Sequence, residues 1–192
     1  MHKDTTLENQ TNTYNRIVLD IARDAIEKEF TNDEIDIGKY TKDNPWLKKD
    51  GASFVTLTLK EKLRGCIGSL LARRPLVEDI IENAKNAAFR DPRFPKLTKE
   101  EFDKIAIEVS ILSEPKELFY SDVKELKRKI KPFEDGVILS LGDKQATFLP
   151  QVWEELAEFE TFFGHLLHKA GLPMDSFKYH PKIFTYKVEK FS

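Results

Sequence analysis

A chain of 192 residues that is 40% apolar and 33% charged is long enough to bury a core and too apolar for disorder. Its 31 basic and 33 acidic side chains leave a formal net charge of −2, which excludes a global electrostatic attraction to nucleic acid or to an anionic membrane. A single cysteine excludes an internal disulfide and a thiolate zinc framework, and the expected compartment is cytoplasmic.

The N-terminal MHKDTTLENQTN is polar throughout and lacks the apolar centre of a signal peptide, so 1–12 is expected as a disordered tail and 13–192 as a single domain. From Tyr14, the residues Ile17, Val18, Ile21, Ala22, Ala25 and Ile26 keep the three-four spacing of a helix with one buried face, with Thr11 or Thr13 to cap it. The stretch to about Asp50 reads as a long connection. FVTLTL (54–59) alternates, Lys60-Glu61-Lys62 makes a polar turn, and Leu63 to Leu70 returns as a partner strand. Arg74-Pro75 opens a helix striped by Leu76, Ile80, Ile81, Ala84 and Ala88, and Asp91-Pro92 ends it. Thr98 and Glu101 stand at capping-box spacing, and Ile105 to Leu112 alternate as a strand. A short charged helix over VKELKRKI precedes a second hairpin, GVILSL and QATFL, across Gly142-Asp143-Lys144. One long helix is expected from about Gln151 to Ala170, stopped by Gly171, and IFTYKVEKF closes the chain as one strand. Hairpins and helices intersperse without regular strand-helix-strand alternation, so the class is α+β with antiparallel sheet. No apolar run approaches the roughly 20 residues that cross a bilayer.

The stretch LRGCIG (63–68) holds the lone cysteine between two glycines. Strand alternation puts Arg64, Cys66 and Gly68 on one face and Leu63, Gly65 and Ile67 on the other. Arg64 then stands about 7 Å along the strand from the sulfur, where a fixed positive charge favours thiolate. Gly68 leaves open space beside the sulfur, and Gly65 leaves bare backbone on the opposite face for something to pack closely. Two glycines in so short a run weaken a strand, which argues for a close approach by a ligand or another part of the chain. Two readings stay open for Cys66: a reactive thiol, or a small buried apolar filler.

Asp91 and Arg93 sit in a proline-stiffened loop, a setting for binding residues as well as ordinary helix-stop chemistry. Glu108 lies on the polar side of its strand, where it faces water, orients Arg64 or acts as a base. His165 and His168 share a helix face, but no further ligand stands at metal-site spacing, and surface histidines account for them. The basic run KRKIK (127–131) is diluted by Glu125 and Glu134. No glycine-rich phosphate loop, HExxH or GxSxG occurs.

LRGCIG (63–68), DPRFP (91–95), LPQV (149–152) and HKAGLP (168–173), in that order, resemble the AMMECR-one domain family. Its bacterial and archaeal members are often called protein A of the AmmeMemoRadiSam system. Ser69 stands where the family usually has Thr, and Lys96 where a second proline is common. The resemblance covers about 13–192. It implies a two-lobed α+β domain, an antiparallel sheet flanked by helices, with a cleft between a larger and a smaller lobe. It also implies association with a Memo-domain protein and a radical-SAM protein.

Residues and resemblance together lead to the expectation of a cytoplasmic enzyme or enzyme component of unsettled activity, cysteine-dependent, with a cleft centred on Cys66. Cys66 is the expected nucleophile or covalent anchor, and Arg64 activates it as thiolate. Asp91 orients Arg93 or accepts a proton. Arg93 grips an anionic group of a small substrate by paired hydrogen bonds. Gly65, Gly68 and Glu108 complete the substrate-binding set, with no metal and no cofactor expected. The alternatives are a non-enzymatic protein-interaction module, in which the glycines admit a partner's backbone, and a nucleic-acid-associated factor, which the near-neutral charge disfavours.

Overall fold

A computed structural model describes the backbone from Asp4 and the side chains from Tyr14 to Ser192. The chain divides into two compact units, one running to Leu112 and taking in Glu189–Ser192, the other Ser113–Val188.

In chain order the first unit contains α1 (Asp4–Thr31), α2 (Ile37–Thr41), a 3-10 turn at Pro45–Lys48, β1 (Ala52–Leu59), β2 (Lys62–Gly68), α3 (Leu76–Phe89), α4 (Lys99–Phe102) and β3 (Ile105–Leu112). The expected caps Thr11 and Thr13 fall inside α1, because nothing between Asp4 and Thr13 breaks a helix: the segment has no glycine and no proline. Residues 1–3 of the expected tail lie outside the described residues. The expected long connection holds α2, whose start is capped by the Asp36 side chain accepting from Lys39 N.

β1 pairs antiparallel with β2 on one side and β3 on the other, and the sheet order is β2-β1-β3-β8, with β8 (Val188–Phe191) arriving from the end of the chain. The β1–β2 turn works without glycine because Lys60 and Glu61 both take left-handed backbone, φ 51° and 63°, which matches strand twist in a two-residue hairpin. One face of this sheet presents Val55, Leu57, Ile107 and Val109, all buried with Ile80 and Ala84 of α3 and Val18, Ile21 and Ala25 of α1. Each valine, leucine and isoleucine side chain there stabilises by about 1.5–3 kcal/mol relative to exposure. The opposite face carries Phe54, Thr56, Thr58, Glu108 and Ser110.

The second unit contains β4 (Lys116–Glu117), α5 (Val123–Lys129), β5 (Gly136–Leu141), β6 (Lys144–Phe148), α6 (Val152–Glu155), α7 (Phe159–Lys169), a 3-10 turn at Ser176–Tyr179 and β7 (Lys182–Tyr186). Its sheet runs β4-β7-β5-β6. The single helix expected from Gln151 to Ala170 is two, and packing gives the reason. Trp153 and Phe162, nine residues apart, would stand about two and a half turns apart and so on opposite faces of a continuous helix. The break at Leu156 brings their rings into a parallel stack with centroids 3.5 Å apart, and Trp153 Nε1 donates to Asp135 O. The expected closing strand is also two, in different sheets. Lys187 leaves the ladder at the junction, where its carbonyl accepts from Ser113 N and its N–H donates to Ser113 Oγ, each at 2.9 Å. Two antiparallel four-stranded sheets with interspersed helices make the class α+β.

Candidate functional site

β2 is an edge strand, and it is bulged. Leu57 pairs with Gly65 while Thr58 pairs with Leu63, so Arg64 is the extra residue. Simple alternation therefore fails at the position where the sequence reading relied on it: Leu63, Cys66 and Gly68 share a face, and Arg64 is re-aimed. Its side chain is buried, 7% exposed, and holds Glu101 through Nε–Oε1 at 3.0 Å and Nη2–Oε2 at 2.8 Å. Glu101 also accepts from Thr98 N to close the capping box of α4. Hydrogen bonds from Arg64 first, then from the Thr98 backbone, hold the Glu101 carboxyl down at about 2. Arg64 ties β2 to α4: the bulge aims its guanidinium at Glu101 and takes it off the face it was expected to share with Cys66. A double-mutant cycle of Arg64→Met with Glu101→Gln, read by urea unfolding, is expected to give a coupling of about 1–3 kcal/mol, and additive losses would contradict the tie.

The cation that touches Cys66 comes from further along the chain and holds its backbone. Cys66 N donates to Asp91 Oδ2 at 2.9 Å, and Arg93 Nη2 donates to Cys66 O at 3.1 Å. Asp91 and Arg93 are themselves joined, Nε–Oδ1 at 3.0 Å and Nη2–Oδ2 at 2.7 Å, with Arg93 N also donating to Oδ1. The ion pair thus satisfies the outward N–H and C=O of an edge strand, as a neighbouring strand would. Because both backbone groups of Cys66 point outward, Cys66 and Thr56 form a non-hydrogen-bonded pair, the arrangement with the closer side chains. Thr56 Oγ1 accordingly donates to Cys66 Sγ at 3.4 Å.

Asp91 is 4% exposed. The Arg93 side chain, opposed by burial and helped by the N–H groups of Cys66 and Arg93, holds its carboxyl far below the usual range. A carboxylate so stabilised is a poor proton acceptor, and its hydrogen bonds hold the Arg93 side chain in place. Asp91 in turn pushes Arg93 up, with a smaller contribution from charge on Cys66. The bidentate edge of Arg93, Nε with Nη2, is spent on Asp91, so paired hydrogen bonds to a substrate anion do not use that edge. The guanidinium groups of Arg93 and Arg64 both stand by the Phe94 ring, 5.5 and 6.0 Å from its centre.

Thr56 pairs with Cys66 on one side and with Glu108 on the other, so Cys66, Thr56 and Glu108 form one row across three strands. Lys190 Nζ of β8 lies 3.9 Å from Glu108. The sequence reading found Glu108 and missed Thr56; the signal was in FVTLTL, whose threonines form the polar row opposite the apolar one. Both glycine approaches are made within the chain. A Cβ on Gly65 would stand 2.1 Å from the Ala87 carbonyl oxygen of α3, as its expected close packing requires. A Cβ on Gly68 would stand 2.2 Å from the Phe54 ring, so the space expected open beside the sulfur is filled by its cross-strand partner. In the basic run, Lys127 pairs with Glu160 and Lys129 with Glu125. His165 and His168 are exposed on α7, and among the described residues no group of three His, Cys, Asp or Glu is placed to hold a metal ion.

The fold and this site define an α+β protein with a partly exposed thiol on a clamped, bulged edge strand. The AMMECR1 family model matches residues 19–191, and the chain belongs to that family. Protein MJ0810 of Methanocaldococcus jannaschii is 38% identical over 173 residues, covering 88% of this chain and 85% of that one. Protein LS215_2104 of Saccharolobus islandicus is 40% identical over 179 residues, covering 88% and 76%. The crystal structure of uncharacterized protein PH0010 from Pyrococcus horikoshii matches with a TM-score of 0.75 and 36% identity, covering 90% of this chain and 88% of that one.

Proposed function

We propose that the chain is a cytoplasmic enzyme or enzyme component in which Cys66 is the group that bonds to a small substrate, as nucleophile or covalent anchor. One observation carries this reading: the partly exposed sulfur receives a hydroxyl hydrogen bond from Thr56, and Arg93, held in place by Asp91, donates to the carbonyl of the same residue. Cys66 reacts in this reading as the thiolate, the nucleophilic form of cysteine. Glu108, two strand spacings away at about 10 Å between Cα atoms, is too far to take the thiol proton directly and serves the far end of a substrate lying along the row. Memo-domain and radical-SAM proteins are the proposed partners in a shared pathway.

Treatment of the native chain with iodoacetamide, followed by mass spectrometry, tests this reading. Cys66 is expected to be alkylated fully without denaturant, and Cys66→Ser to stay unlabelled. Labelling that begins only as urea unfolds the chain would make the cysteine a structural residue.

A further inference from the structure

Beyond the thiol, the loop that leaves β2 builds a second feature. Ser69, Leu70, Leu71, Arg73 and Arg74 line a cavity of about 260 Å3, the liquid volume of roughly nine waters. The loop is fixed at both ends. Ser69 N donates to Ser53 O at 2.8 Å, Gly51 N to Arg74 O at 3.1 Å, and Leu76 N to Lys49 O at 2.9 Å. Beneath it lies Asp79, 1% exposed, which accepts from Ser53 N, Ser53 Oγ, Ser69 Oγ and Asn83 Nδ2 at 2.7–2.9 Å. Arg74 Nε lies 3.4 Å from the same carboxylate.

The charges leave a remainder. Asp79 offsets Arg74, while Arg73, exposed on the rim, makes no salt bridge or side-chain hydrogen bond with the described residues. A rigid cavity with one uncompensated guanidinium and a second one fixed beside it suits an oxyanion, since guanidinium matches carboxylate and phosphate geometry. Leu70 and Leu71, 37% and 40% exposed, add an apolar wall next to the charge. We propose that this cavity binds a small oxyanion carried on a short apolar body, an organic phosphate or a carboxylate, with Arg73 as the principal contact. Ser69 follows Cys66 by three residues, about 10 Å of extended chain, so a ligand here lies off the end of the strand that carries the thiol. The cavity holds its ligand whether or not the thiol reacts.

Calorimetric titration of the full chain with inorganic phosphate, propyl phosphate and butyrate tests the proposal. Either propyl phosphate or butyrate is expected to bind saturably, and propyl phosphate about tenfold more tightly than inorganic phosphate through burial of its alkyl chain. The better of the two identifies the ligand class as phosphate or carboxylate. Arg73→Gln, an exposed change that leaves the loop's anchoring bonds intact, is expected to weaken binding about tenfold or more, while Lys42→Gln, just past the end of α2, leaves it unchanged. Absence of saturable binding by all three anions, or equal binding in wild type and Arg73→Gln, overturns the proposal. The Cys66→Ser variant is expected to bind as wild type does, so failure of the thiol reading and failure of this cavity give different results.

Discussion

Gly65→Ala is expected to lower stability by about 3 kcal/mol or more, a large part of the roughly 5–15 kcal/mol a domain has. The added carbon would meet the Ala87 carbonyl oxygen at 2.1 Å and its carbonyl carbon at 3.0 Å. Those atoms are helix backbone, so relief requires α3 to move off the sheet that buries Val55 and Leu57. Gly68→Ala meets the Phe54 ring at 2.2 Å, and a ring on a partly exposed face can turn aside. Its expected cost is about 1–3 kcal/mol, and Phe54→Leu in the same chain is expected to recover part of it. Urea midpoints of these three variants measure this; equal losses at Gly65 and Gly68 would mean that α3 does not press on the strand.

Asp91→Ala is expected to cost about 2–4 kcal/mol, because it strips the acceptor from the Cys66 and Arg93 N–H groups and leaves a guanidinium without its partner. The same carboxylate sets a pH dependence. Its folded-state pKa lies below the ordinary value of 3.8, so its contribution is fully present above that value and is lost as pH falls toward the folded one. Glu101, held at about 2, acts in the same direction. Stability of the wild-type chain is therefore expected to fall between about pH 4 and pH 2. Asp91→Asn is expected to be less stable at neutral pH and to fall less steeply in acid. Parallel curves for the two proteins would show that Asp91 is not held as an ion by Arg93.

What could be seen in the sequence was local. The buried stripe of α3, the capping box of Thr98 and Glu101, and the alternation of β1 and β3 each repeat a pattern within a few residues, and the structure has them. Where long-range packing decides, local pattern misleads. The Arg64 bulge arises because β2 must match β1 while its Gly65 sits on α3, and no short-range signal in LRGCIG marks the extra residue. The break before α7 exists to stack Trp153 on Phe162, and the break at Lys187 exists because Ser113 receives it. Of the expected site, Asp91 and Arg93 do meet Cys66. The cation that reaches Cys66 is Arg93, which lies 27 residues from the cysteine and binds its carbonyl.

The rate of Cys66 alkylation by iodoacetamide in the native chain at neutral pH, compared among wild type, Arg93→Gln, Arg93→Lys and Arg64→Gln, puts the assignment of that cation to its most direct trial. A slower rate in Arg93→Gln, partial recovery in Arg93→Lys and a wild-type rate in Arg64→Gln are expected. A wild-type rate in Arg93→Gln together with a slowed Arg64→Gln would return the cation to Arg64 and undo the site as described.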